Sequence, residues 1–90
     1  MEKQTAKLIA KIAEPRVNGT WILCKTNEIN KNQYSPDYGK PVYCAMNELV
    51  DDNGRVGKTK WSSMDYSQAH QSLTVHFGMT AEEATTILEK

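Results

Sequence analysis

The sequence predicts an α+β fold, a small antiparallel sheet of three to four strands with a C-terminal helical hairpin packed on one face. Three observations carry that expectation. Asn18-Gly19 and Asn53-Gly54 are turn dipeptides set among short apolar runs, the pattern of hairpins. Beyond Trp61 the apolar spacing changes from two to about 3.6 residues, so strands give way to helix. Finally, Thr80-Ala81-Glu82-Glu83 has the form of a capping box at a helix start. Ninety residues suit one domain, here 1–90, with 1–62 mainly sheet around a long loop at 27–41 and 63–90 forming two short helices.

The first element is ambiguous in its own residues. Thr5, Leu8, Ile9, Ile12 and Ala13 fit one face of a helix, with Lys3, Lys7 and Lys11 opposite, while Leu8, Ala10 and Ile12 alternate as in a strand. The nearby Asn18-Gly19 turn favours the strand reading, although pairing centred on it sets Ile12 opposite Lys25 and gives no clean apolar face. Trp21-Ile22-Leu23-Cys24, bounded by polar residues, reads as a buried strand. Asn27–Pro41 follows as a polar loop braced by Pro36, Gly39 and Pro41 and carrying Tyr34 and Tyr38.

Val42–Val50 and Arg55–Trp61 flank Asp51-Asp52-Asn53-Gly54. A two-residue Asn53-Gly54 loop pairs Asp52 with Arg55, Val50 with Gly57 and Met46 with Trp61. That register gathers Val42, Cys44, Met46, Val50 and Trp61 on an apolar face suited to the core. It turns Tyr43, Leu49, Lys58 and Lys60 outward together. Tyr66, Ala69, Leu73 and Phe77 then line one helical face, with Ser62 or Ser63 as N-cap and Gly78 ending the helix. Ala84, Ile87 and Leu88 supply the stripe of a second helix.

Charge and chemistry narrow the functional classes. Eleven basic and eleven acidic residues cancel, which argues against a dedicated duplex binder. The balance is uneven along the chain, with +2, +1 and −3 in successive thirds, so a charged partner remains compatible with it. No apolar run is long enough for a membrane span, and the expected setting is cytoplasmic. Cys24 and Cys44 fit neither a disulfide scaffold nor a paired-cysteine zinc site and read as buried free thiols.

The Asp52–Thr59 stretch approaches a phosphate-binding loop but has Asp52 where the first glycine belongs and lies in a hairpin. A helix-turn-helix at 73–87 would present Glu82 and Glu83 to a polyanion. His70 and His76 are six apart, on different faces of a helix, so no metal site is expected, and no nucleophile motif or carboxylate pair points to catalysis or a cofactor.

Two surfaces survive. Tyr34 and Tyr38, with Lys40 and the hairpin-tip Arg55, form the candidate contact surface for a protein partner, provided that the rings project rather than fold back over the core. The expected function is therefore a small non-enzymatic binding or inhibitory module of the kind that serves as a phage or plasmid accessory protein. The alternative is a single-stranded nucleic-acid binder in which Lys58 and Lys60 hold phosphate while Tyr43 stacks on a base. An open hairpin edge also allows a homodimer.

Overall fold

A computed structural model of the chain describes residues 5–90. Lys3, part of the helical reading of the N-terminal segment, lies outside them. The chain order is β1 (Ala6–Ala13), β2 (Gly19–Ile29), β3 (Pro41–Val50), β4 (Val56–Lys58), β5 (Ser62–Met64), α1 (Tyr66–Gln71) and α2 (Ala81–Leu88), with a π-helical turn at Ser72–His76 continuing α1. The sheet is an antiparallel meander in the order β1-β2-β3-β4, and β5 also pairs with β3. The fold is α+β, as the periodicities predict.

The strand reading of the N-terminal segment is correct, and a β-bulge explains its helix-like spacing. Leu8 pairs with Cys24 and Ala10 with Leu23, so Ile9 is the extra residue. Two consecutive side chains, Ile9 and Ala10, therefore join the same core. The turn after β1 is not centred on Asn18-Gly19. Ile12 faces Trp21, and the Glu14 amide donates to Gly19 O at 2.9 Å, leaving 15–18 as the loop. Gly19 is required for space instead of for positive φ: an added Cβ would lie 2.5 Å from Glu48 O and 2.8 Å from Leu49 Cδ2.

The second hairpin is also one residue off the expected register. Val50 pairs with Val56 and Glu48 with Lys58, because the Asp51 amide donates to Arg55 O and the Gly54 amide to Asp51 O, closing a three-residue loop with Gly54 at φ 79°. The edge strand breaks after Lys58 and resumes as β5, where Ala45 faces Ser62 and Tyr43 faces Met64. Trp61, expected in the core, lies in that break and is 51% exposed.

Two short helical elements cover one sheet face. Asp65, rather than Ser62 or Ser63, caps α1: its side chain accepts from the Gln68 amide while Gln68 Oε1 accepts from the Asp65 amide. The π-helical turn ends with the Phe77 amide donating to Ser72 O and Gly78 at φ 71°. Thr80 and Glu83 form the expected capping box. Trp21, Leu23, Tyr43 and Ala45 from the sheet pack with Ala69, Leu73, Ala84 and Leu88. Trp21 also meets Phe77 with ring centroids 5.0 Å apart.

Helices lie over the Tyr43 face, so the expected core set Val42, Cys44, Met46 and Val50 belongs to the opposite face. There Ile22, Cys24 and Met46 form a second, smaller cluster with Cys44 packed against it. Leu8 and Val56, register partners of Cys24 and Val50, are 50% and 59% exposed on that same face. The smallest molecular dimension, 21 Å, accommodates one sheet and one helical layer at about 10 Å each.

Candidate functional site

The loop between β2 and β3 is the most elaborately built surface feature of the described chain. Its polar residues close local turns instead of facing solvent idly. Asn30 Oδ1 accepts from the Asn32 amide at 2.9 Å, Asn32 Oδ1 from the Tyr34 amide at 3.1 Å, and Ser35 Oγ from the Asp37 amide at 3.1 Å. Backbone bonds repeat the pattern, from Ser35 N to Asn32 O and from Tyr38 N to Ser35 O. The base is sealed by a reciprocal pair in which Asn30 N donates to Lys40 O and Gly39 N to Asn30 O, with Gly39 at φ 83°. Such a loop holds its own backbone conformation, so little backbone ordering is needed on contact.

Asp37 anchors the loop to the helical layer. Its carboxylate is 2% exposed and accepts from Ser67 Oγ at 2.8 Å and from the Ser67 amide at 3.1 Å, in the first turn of α1. Burial by itself would raise its pKa. The two hydrogen bonds from Ser67 and the nearby positive charge of Lys40 outweigh that effect and hold it below the ordinary 3.8. Lys40 Nζ in turn sits 4.2 Å from the centre of the Tyr66 ring.

With the loop tied down in this way, its two rings point away from the core. Tyr34 is 88% and Tyr38 60% exposed. A polar-lined concavity of about 780 Å³ begins at Asn30 and Lys31 and runs between the end of β2 and the β5–α1 junction, where Met64, Asp65 and Gln68 form its far wall. A shallower one of about 420 Å³ separates Pro36, Asp37 and Lys40 from Tyr66, Ser67 and His70. The loop borders both depressions, through Asn30 and Lys31 in the first and through Pro36, Asp37 and Lys40 in the second, while Tyr34 and Tyr38 line neither.

Only part of the expected contact set is brought together. Tyr34, Tyr38 and Lys40 share the loop. Arg55 lies at the far end of β3, about 30 Å away along a strand of ten residues rising roughly 3.3 Å each. Arg55 therefore belongs to a different surface, because β3 connects the two turns end to end.

The Tyr43, Lys58 and Lys60 face does not form. The one-residue shift in the hairpin puts Lys58 opposite Glu48, on the reverse side of the sheet from Tyr43, with its Nζ 4.0 Å from Glu48 Oε1. Lys60 falls in the break between β4 and β5. Tyr43 is 1% exposed and donates its hydroxyl hydrogen to Leu88 O at 2.9 Å, so its ring is a core element.

Burial and, secondarily, the neighbouring Tyr66 and Glu89 push its pKa up to about 12. The neutral form is the one the fold holds, so its contribution is complete below pH 10 and is lost as pH rises from 10 towards 12. Tyr43→Phe is expected to cost about 1 kcal/mol at neutral pH and to flatten the loss of stability across that alkaline window, as followed by urea unfolding at stepped pH.

The remaining chemical candidates are engaged elsewhere. His76 Nε2 contacts the largely buried carboxylate of Glu14 at 2.8 Å, and His70 Nε2 lies 3.3 Å from Ala81 O. Among the described residues no three His, Cys, Asp or Glu side chains converge as a metal site, and no helix is long and apolar enough to cross a membrane. Sequence reasoning missed Asp37 and Ser67. An isolated Asp in a polar loop carries no sign of its burial, and the only available signal was the Ser-Pro-Asp turn beside the two tyrosines. No protein-family model, curated protein or solved structure matches the chain.

Proposed function

We propose that the protein is a small binding module that captures a protein partner through the 30–40 loop and acts by occupying that partner rather than by catalysis. The carrying observation is the combination of two widely exposed tyrosines with a loop that is already ordered and anchored through a buried carboxylate. Rigid aromatic side chains offer large contact area at low entropic cost, and they concentrate binding energy in a few residues. Lys40 and the depressions that the loop borders supply the polar and concave surroundings that such anchors use. An inhibitory or accessory role of the phage or plasmid type agrees with a chain of this size that offers one preformed contact loop.

The test compares Tyr34→Ala/Tyr38→Ala with wild type in affinity capture followed by mass spectrometry. Val75→Ala serves as a control that removes an apolar side chain, 75% exposed, from another surface. The expected result is loss of the wild-type partner from the double variant alone. Its Tm should stay within about 8 °C of wild type, since two exposed substitutions at about 0.5 kcal/mol or less each cost at most about 1 kcal/mol. Retention of the partner by the double variant overturns the proposal, as does a much larger fall in Tm.

A further inference from the structure

The sheet face opposite the helices carries a feature separate from the tyrosine loop. Cys24 and Cys44 are register partners on β2 and β3, the two longest strands, and both are free thiols. The Val50 amide donates to Asn18 O across the same ladder, so alternation makes 20/48, 22/46 and 24/44 hydrogen-bonded pairs as well. Cα atoms of such pairs stand about 5.5 Å apart, inside the range of roughly 4.4–6.8 Å that a disulfide spans. Cys44 also packs against the small cluster to which Cys24 belongs. No described helix lies over this face, Cys44 is half-buried and Cys24 is 8% exposed, so a small oxidant reaches the pair from Cys44.

We propose that Cys24 and Cys44 are a redox-modification site that closes to a reversible cross-strand disulfide with a disulfide oxidant of the glutathione type. The Cys44 thiolate attacks one sulfur of the oxidised glutathione, forming a mixed disulfide and releasing one glutathione thiolate. Cys24 then gives up its proton to solvent and attacks the Cys44 sulfur, expelling the second. The protein loses two electrons and two protons, and one glutathione disulfide becomes two glutathione molecules.

Two physical features set the character of the bond. Burial, with Cys24 beside it, raises the Cys44 pKa, so attack accelerates about tenfold per pH unit up to that pKa. Opposed Cβ atoms in a sheet stand about 4.5–5.5 Å apart, whereas a disulfide requires roughly 3.5–4.5 Å. Closure therefore pulls the two strands together, and the strain makes the bond easy to reduce. The ring it closes runs from Cys24 to Cys44 and encloses the whole 30–40 loop.

The experiment treats the intact chain with glutathione disulfide at pH 7 and pH 8, quenches with acid, and measures mass and alkylation after unfolding. The expected product has lost two hydrogens, has no alkylatable thiol, yields a peptide joining the Cys24 and Cys44 segments, and reopens with excess reduced glutathione. Cys24→Ser should stop at a glutathione adduct on Cys44, the trapped intermediate. The proposal is overturned if oxidised wild type accumulates that same adduct without closing, forms a disulfide-linked dimer, or retains two alkylatable thiols. None of these readouts depends on whether the tyrosine loop binds a partner.

Discussion

Leu23→Ala is expected to lower the Tm by about 8–40 °C, among the largest effects of any single truncation in this chain. That range follows from a cost of about 2–5 kcal/mol for emptying a leucine site and a shift of about 4–8 °C per kcal/mol in a domain of this size. Leu23 is fully buried at the centre of β2, and its register neighbours on either side are Ala10 and Ala45. The helical layer presents Ala69 and Ala84 to the same core. These small side chains cannot extend into the space that Leu23 vacates, so its truncation leaves a cavity as well as lost contacts. Differential scanning calorimetry checks the shift, and a loss under 5 °C would mean that the helical layer repacks freely over the sheet.

The same small-and-large alternation shows why parts of the fold were readable and others were not. The helical end was legible because its signals are local: Thr80 and Glu83 cap each other within one turn, and Gly78 supplies the positive φ that ends the preceding helix. Strand faces depend on what covers them. Trp21-Ile22-Leu23-Cys24 is apolar on both sides, so its pattern does not say which side the helices take, and Val42, Cys44 and Met46 made an equally plausible core set. The helices chose the face of Trp21, Leu23, Tyr43 and Ala45.

A single residue in a turn then decided the proposed lysine face. Asp51 and Arg55 close a three-residue loop, and that slip moves Lys58 to the opposite side of the sheet from Tyr43. The bulge at Ile9 had a related effect, since two adjacent inward residues imitate helical spacing in a strand. Of the candidate site, the tyrosines were legible as aromatic residues in a polar, proline-braced segment. The residue that positions them was not, because the burial of Asp37 comes from contact with Ser67, thirty positions away.

That contact sets up the second large effect, in which removing one carboxylate disables a surface it does not form. Asp37→Ala deletes the acceptor for two hydrogen bonds, leaves the Ser67 amide and hydroxyl without it, and releases the middle of the 30–40 loop from α1. The expected cost is about 2–3 kcal/mol, the usual range for a hydrogen-bonded charge. Partner capture should fall with it, although Tyr34 and Tyr38 are intact, because the rings lose their fixed stage. Asp37→Asn retains one acceptor oxygen and should lie between wild type and Asp37→Ala in both measurements.

The pH dependence carries the sign that identifies the mechanism. The Asp37 carboxyl has a folded pKa below its ordinary 3.8, so its stabilisation is complete above that value and is lost as pH falls through the folded pKa. The gap in unfolding free energy between wild type and Asp37→Asn should therefore be widest near neutrality and narrow below about pH 4, as urea titrations across that range will record. A gap that stays constant down to pH 2 would show that the carboxylate charge contributes nothing. Undiminished capture by Asp37→Ala would show that the tyrosines hold their places without it.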